Sequence, residues 1–404
     1  MIANFSDISV PSLGFFVLGL ALVLLAWSRY RENFAPALLA ASLIMVASWL
    51  SPMDAVVLAG FIFPPYLAVH VLWGRQEKAP SVFIGVVVVW EVLLFIVLRR
   101  YEWVGWIDWL DHPVSIIGLS YMLFRIIHLV VEAPSLGAYR ISLAAYLSYV
   151  LAFWTLISGP IQRYDDFARG LSSVGRPEPD ELLSSSHRMV NGLIKAFLIA
   201  PVFLKASDIG LVTRDDADVI DFAVVFYAYP IYLYLNFSGY TDVVIALTRL
   251  CGVNTLPENF NRPYLARNIQ DFWKRWHMSF GVWITSYIFT PLTKWLLTRG
   301  DIKHHGPLTA LSVMVTFLIV GAWHGATTNF LVFGLLHGAA VMAAALYGLG
   351  LKKALGKTGR NAFEAKPWVR GLAVVLCFHY VCATLALIPN QISDIVGALG
   401  KFLA

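Results

Sequence analysis

The sequence predicts an all-α, polytopic transmembrane protein. Three observations carry this. Of 404 residues, 58% are hydrophobic and only 14% are charged, against roughly 25% charged in an average soluble domain. Too little charge remains to cover a water-facing surface, whereas a lipid-facing one needs almost none. Second, the apolar residues gather in runs that approach the roughly 20 residues a helix needs to cross a bilayer. Third, cations flank those runs, as at Arg29, Arg31, Arg75 and Lys78. That scatter explains the net charge of +5 better than a nucleic-acid interface, which would collect its cations in one patch. Disorder, collagen-like repeats, a secreted disulfide scaffold and a DNA-binding domain are excluded at the same step.

The runs, in order, are Pro11–Trp27, Ala35–Leu50, Ala55–Trp73, Ser81–Leu98, Pro113–Val131, Leu143–Ile157, Val190–Phe203, Ile220–Tyr234, Val243–Leu250, Leu308–Val320, Phe330–Leu346 and Val369–Leu387. They amount to about ten to twelve hydrophobic helices. Several are short, which suggests helices that stop inside the protein, where backbone lines a polar cavity. The first nine residues carry Asp7 and no Lys or Arg, a poor start for a signal peptide, so the first run is expected to stay as a helix. The loop with Arg29 and Arg31 and the loop with Arg75 and Lys78 are placed in the cytoplasm, and the N-terminus outside. Beyond Arg99 and Arg100, Asp108 and Asp111 blur that signal.

Two stretches do not read as lipid spans. Gln162–Arg188 is rich in charge and proline, and Asp180 is expected to cap a helix beginning at Glu181. Leu256–Ser286 is rich in Asn, Arg, Trp and Pro. Both read as ordered polar segments with re-entrant or interfacial helices, held against the membrane core. Gly348–Arg360, with Lys352, Lys353 and Lys357, reads as a cytoplasmic loop. Cys251, Cys377 and Cys382 form no metal-ligand spacing and read as packing residues, so no metal is expected.

Three clusters carry unusual chemistry. On a helix of 3.6 residues per turn, Trp273, Trp276, Phe280 and Trp283 share a stripe roughly 80° wide, with Lys274 and Arg275 pointing away and His277 on its flank. This reads as an interfacial helix with tryptophans at headgroup depth; His277 is either functional or a bystander of anchoring. Gly321-Ala-Trp-His-Gly325 ends an uncharged apolar run. A histidine there faces a polar cavity or a partner helix, and burial favours the neutral imidazole that a general base needs. His337 repeats the pattern. It lies 13 residues beyond His324, about 220° away on one helix, so the two share a cavity only if the helix breaks between them. Asn236-Phe-Ser-Gly-Tyr-Thr-Asp242 interrupts a hydrophobic stretch and marks a broken helix or a buried polar network, the network being the stronger reading for Asp242. No HExxH, GxSxG, P-loop or GxGxxG in strand context is present. His70, His112, His128, His187 and His379 show no partner pattern.

Taken together, Phe237-Ser-Gly-Tyr-Thr-Asp242, Pro257-Glu-Asn-Phe-Asn-Arg-Pro-Tyr264, Phe272-Trp-Lys-Arg-Trp-His-Met-Ser279, Gly321-Ala-Trp-His-Gly325 and Gly334-Leu-Leu-His-Gly338 resemble the membrane-bound O-acyltransferases. The likeness is to the bacterial branch of alginate O-acetylation and D-alanyl transfer. Ser158-Gly-Pro-Ile-Gln-Arg163 and Gly118-Leu-Ser-Tyr-Met-Leu-Phe-Arg125 fit the same branch. The resemblance implies a ring of helices around a transmembrane tunnel. It divides the chain into N-terminal transmembrane helices (1–112), a catalytic core (113–340) and a C-terminal loop with a transmembrane helix (341–404). It makes His324 catalytic, with His277 beside it on the tunnel. Trp276, Trp323, Asn236, Ser238, Asp242 and Ser279 are expected to line the tunnel, and Lys274 and Arg275 to meet the donor. It departs from the branch at Ile284-Thr285-Ser286, where an aromatic-Arg-Asp run is common.

The implied reaction carries an acetyl or D-alanyl group from a cytoplasmic thioester, on coenzyme A or an acyl carrier protein, to a hydroxyl of an exported glycan or of an extracytoplasmic acyltransferase partner. No bound cofactor and no nucleic-acid partner are expected; the surroundings are membrane lipid, in a bacterial inner membrane. The alternatives are a transporter or channel for a lipid-linked glycan or small anion, and an inactive scaffold for a separate acetyltransferase.

Overall fold

The computed structural model describes residues 12–75, 81–99, 118–136, 141–301 and 304–403. Asp7, Lys78, Arg100, Asp108, Asp111, His112 and the division at 112/113 lie outside the described residues. Regular structure among the described residues is helical, with an isolated antiparallel bridge between Phe260 and Trp276.

The first half contains α1 (Leu13–Trp27), α2 (Phe34–Ala47), α3 (Pro52–Leu72), α4 (Ser81–Arg99), α5 (Leu119–Glu132), α6 (Leu143–Val150), α7 (Phe153–Leu156) and α8 (Tyr164–Ser172). Then come α9 (Pro179–Leu193), α10 (Ala200–Ala206), α11 (Gly210–Thr213), α12 (Val219–Leu250), α13 (Ile269–Trp273), α14 (Met278–Ile284) and α15 (Thr290–Arg299). The last are α16 (His305–His324), α17 (Thr328–Ala365), α18 (Pro367–Leu385) and α19 (Ile392–Leu403). Among the described residues, seven helical stretches are long and apolar enough to cross a membrane: α3, α4, the composite Pro179–Thr213, α12, α16, α17 and α18. The protein is a multi-pass membrane protein. Leu13, Val17, Leu20 and Leu24 on α1, and Val82, Val86, Val89 and Leu93 on α4, are all exposed at three- and four-residue spacing. Such stripes would drive association in water, whereas hydrocarbon solvates them.

Several elements differ from the sequence expectation, each for a physical reason. The expected spans Ile220–Tyr234 and Val243–Leu250 are one helix, α12, entered through an Asp218 capping box that satisfies its first amides. Its polar run does not break it: Asn236 and Thr241 bond back one turn within the helix, while Tyr240 reaches the Trp154 carbonyl and Asp242 meets Arg188 and Lys195. Leu143–Ile157 does break, into α6 and α7. The carbonyls of Tyr149 and Val150, freed at the break, accept from Arg125 Nη1 at 3.0 and 2.9 Å, and Arg125 Nη2 reaches Thr155. A buried guanidinium at a helix C-terminus meets both the dipole and the orphan carbonyls. Helix α9 starts at Pro179, with Glu178 at the cap position and no side-chain cap bond. Proline at the first helical position supplies the correct φ, so Asp180 is not the cap. Gly348–Arg360 is helical, apart from Gly356 at φ 68°. There the chain turns, and Arg360 returns to the Gly348 carbonyl at 3.4 Å while pairing with Glu364 at 2.7 Å.

Helices α16 and α17 meet through glycines. A Cβ at Gly321 would lie 2.3 Å from the Phe330 carbonyl oxygen, and one at Gly334 would lie 2.3 Å from that of Phe317. The glycines of the Gly321–Gly325 motif therefore admit a neighbouring helix, in the manner of small-residue packing in membranes. Gly321→Val is expected to destabilise by about 1–3 kcal/mol through overpacking, read as a lowered unfolding midpoint in detergent. Gly306→Ala on the same helix has open space and should leave the midpoint in place. Equal midpoints for both variants would show that the two helices part freely.

Candidate active site

The Asp271–Phe280 segment is not a single interfacial helix. Asn268 caps α13 by accepting from the Asp271 amide at 2.9 Å. The helix then ends, because the next residues pair with a strand-like stretch upstream. The Asn261 amide donates to the Arg275 carbonyl at 2.9 Å, and the Met278 amide donates to the Asn259 carbonyl at 2.9 Å. His277 stands at the turn with φ 46°, a left-handed conformation that costs a non-glycine residue roughly 1–2 kcal/mol. Trp276, Phe280 and Trp283 are buried among protein side chains, and the Trp283 indole donates to the Phe124 carbonyl at 3.0 Å. The aromatic stripe is core, and the expected continuous helix is replaced by a turn at His277.

Asn259 holds that turn. It is fully buried, and its Oδ1 accepts from both the amide and the hydroxyl of Ser279, at 3.1 and 2.8 Å. Ser279 Oγ in turn accepts from the Ile161 amide at 3.0 Å. The Ser158–Arg163 motif, the Pro257–Tyr264 motif and the Phe272–Ser279 motif thus meet at one serine. Sequence reasoning gave Ser279 a place but none to Asn259, a polar residue in an irregular segment.

His324 ends α16 and is buried. Its ring centroid lies 4.6 Å from Trp323, 5.7 Å from Phe333 and 6.2 Å from Phe280. His277 lies 4.9 Å from Phe280, 4.8 Å from Phe237 and 6.2 Å from Trp323. The two imidazoles therefore rest on the same stacked pair, Phe280 and Trp323, whose centroids are 4.4 Å apart. His277 Nε2 is buried with no hydrogen-bond partner among the described residues. Arg99, at the end of α4, donates to the His324 carbonyl at 3.3 Å and to Ser120 Oγ at 3.2 Å. That contact ties α4 and α5 to the His324 end of α16.

The helix does break between His324 and His337, since α16 ends at the first and α17 begins at Thr328. Phe333 touches both rings, at 5.7 and 4.3 Å. His337 is nevertheless occupied. The Trp273 indole, a donor only, reaches its Nδ1 at 3.2 Å, so Nε2 carries the proton and donates to Thr384 Oγ1 at 2.9 Å. This fixes the tautomer and leaves neither nitrogen for a substrate.

Asn236 and Ser238 are buried on α12; the Asn236 amide reaches Tyr232 Oη at 3.4 Å. Asp242 lies in the expected network, accepting from Arg188 Nε at 2.9 Å and from Lys195 at 2.6 Å. Arg188 also forks onto Glu258, which takes Arg249 at 3.2 Å. The hydrogen bond from Arg188 holds the Glu258 carboxyl below the usual carboxylate range against its own partial burial. Lys274 is exposed. Arg275 is engaged with Asp271 at 2.8 Å; burial would raise the Asp271 pKa, but hydrogen bonds from Arg275 and the Arg267 amide bring it below its ordinary value. The sequence also passed over His128. It accepts from the Tyr164 amide at Nε2 (3.0 Å) and meets Tyr287 Oη at Nδ1 (2.6 Å); Tyr287 donates to Glu132.

Among relatives, the teichoic acid D-alanyltransferase of Bacillus subtilis is 28% identical over 321 residues, covering 76% of this chain and 78% of that protein. That of Streptococcus thermophilus is 25% identical over 297 residues, 70% of each chain. A protein named "Probable alginate O-acetylase AlgI" from Pseudomonas fluorescens is 29% identical over 264 residues, 64% of this chain but 49% of that longer one. The family model for membrane-bound O-acyltransferases matches residues 73–378, which contain both histidines and the turn that carries His277. This chain belongs to the membrane-bound O-acyltransferase family and is a membrane enzyme of acyl transfer.

Proposed function

We propose that the enzyme moves an acyl group, acetyl or D-alanyl, from a cytoplasmic thioester to a hydroxyl of an exported envelope glycan or of a partner protein outside. The observation that carries the reading is the pair of buried imidazoles on one aromatic platform, His324 and His277, in a chain similar to D-alanyltransferases and alginate O-acetylases. His324 takes the proton of the acceptor hydroxyl as that oxygen attacks the thioester carbonyl. The C–S bond then breaks, and the imidazolium returns the proton to the departing thiolate. The oxyanion needs a donor aimed at it. A protonated His277 Nε2, unengaged among the described residues, suits that role, with Trp276 and the backbone near Gly325 as further candidates.

Orientation follows from the cations. Arg176 stacks on Trp27 at 5.4 Å, and Gly175 lies beside Arg31, so the Arg-rich Gln162–Arg188 segment shares a face with the first loop. The positive-inside rule places that face in the cytoplasm of a bacterial inner membrane. Lys274, being exposed, is the contact assigned to donor phosphates; Arg275 is already paired. In this reading the donor is coenzyme A or a carrier protein, arriving at a tunnel.

The test is mass spectrometry of the envelope glycan from cells with and without the gene, combined with donor consumption by purified protein. Loss of a 42-Da-class acetyl or a D-alanyl ester, about one acyl group per modified hydroxyl in the sense of group transfer, supports the reading. An unchanged acyl content with altered glycan export would replace it with transport.

A further inference from the structure

A second polar site lies on α9 and the turn that follows it, and its lining shares no residue with the aromatic platform of the two imidazoles. Ser184, His187, Asn191 and Lys195 recur at three- and four-residue spacing and, with Arg188 and with Asp242 of α12, line a groove of about 620 Å³. Three features of this groove are independent of one another.

The first is charge. Arg188 and Lys195 share Asp242, and Arg188 and Arg249 share Glu258. Three cations meet two carboxylates, leaving one positive charge without an anion in the cluster. Lys195 also has more donors than its bond to Asp242 uses.

The second is backbone. The helix passes from α-helical to π-helical at Ile194–Ile199, so Lys195 sits at the start of the widened turn. Such segments are rare in helices and frequent at functional sites. The widening occurs where Gly192 and Gly239 bring α9 and α12 together; a Cβ at Gly192 would lie 2.7 Å from the Gly239 carbonyl.

The third is the apolar continuation. Ile194 and Ile199 line the same groove, and Leu198 and Val202 beyond them are exposed on a stretch that qualifies as a membrane span. The groove therefore lies where the helix passes from its polar half to its lipid-facing half. A ligand held here has an anionic head and a hydrocarbon tail.

We propose that the groove binds the phosphodiester headgroup of an anionic membrane phospholipid, its acyl chain lying along Ile194, Ile199 and Val202. A phosphodiester carries one negative charge, which matches the excess in the cluster, and its oxygens accept from Lys195 and the Asn191 amide. A zwitterionic headgroup would bring its own cation to a site that already has a surplus.

Native mass spectrometry of the full chain tests this, with the protein in detergent containing equimolar phosphatidylglycerol and phosphatidylcholine. Phosphatidylglycerol adducts should exceed phosphatidylcholine adducts roughly fivefold, the preference that one unbalanced charge near a membrane surface confers. Asn191→Asp and His187→Glu each place a carboxylate in the groove at an exposed position without removing a partner of any ion pair. Either should bring the ratio to about one, and the variant that remains monodisperse by gel filtration decides if the other does not. Equal adducts in the unaltered protein, or a preference that survives both variants, would overturn the proposal. Displacement of the lipid by stoichiometric inorganic phosphate or coenzyme A would also overturn it, assigning the groove to a soluble phosphoryl compound.

Discussion

His324→Ala is expected to lower acyl transfer by about 10²–10⁴-fold, the range for removing a general base, with the protein still inserted and monodisperse. The side chain rests on aromatic rings at 4.6–6.2 Å, so its loss opens a small space among them. The comparison that gives the result its meaning is His337→Ala. That substitution strands the Trp273 indole and Thr384, and each buried group left unpaired costs about 1–3 kcal/mol. His337→Ala should therefore lower the unfolding midpoint in detergent, while the larger loss of activity falls on His324→Ala. Transfer near the unaltered rate in a well-folded His324→Ala would remove the base from the mechanism.

The second large effect belongs to Asn259. Asn259→Ala withdraws the oxygen that receives both the Ser279 amide and its hydroxyl. A loss of about 2–4 kcal/mol is expected: two buried donors are left unanswered at about 1–3 kcal/mol each, offset in part because the Asn259 Nδ2, buried with no hydrogen-bond partner among the described residues, is removed as well. Activity should fall with it, since the same contact holds the left-handed backbone of His277. Ser279→Ala retains the amide bond and should be milder. A double-mutant cycle between the two should show coupling of about 0.5–3 kcal/mol, measured as unfolding midpoints in detergent. Additive effects would mean that the turn is held by something else.

Much of this molecule is legible before any coordinates. Sparse charge and long apolar runs place it in a membrane, because the cost of exposing those groups to the wrong solvent is large and local. Asp242 was readable as a network member for the same reason. The break at His277 was not. Periodicity favours one helix through Trp273, Trp276, Phe280 and Trp283, and only pairing with residues 259–261 overrides it. Partners at long separation explain the other misses: His128 meets Tyr164 and Tyr287 across 36 and 159 residues, and no local spacing announces either. The lysine-bearing Gly348–Arg360 stretch reads as a loop because charge and four glycines dominate its composition, yet it stays helical except at Gly356, where Arg360 returns to the Gly348 carbonyl.

Helix α14 does not supply its own beginning. Its opening amides, Met278 and Ser279, are received by the backbone and side chain of Asn259, where most helices use the residue immediately before them. Such a helix has no stable start until the upstream segment has arrived. The order of assembly is thereby constrained: α14 matures together with the 259–261 segment rather than ahead of it, and His277 acquires its orientation only in that joint event.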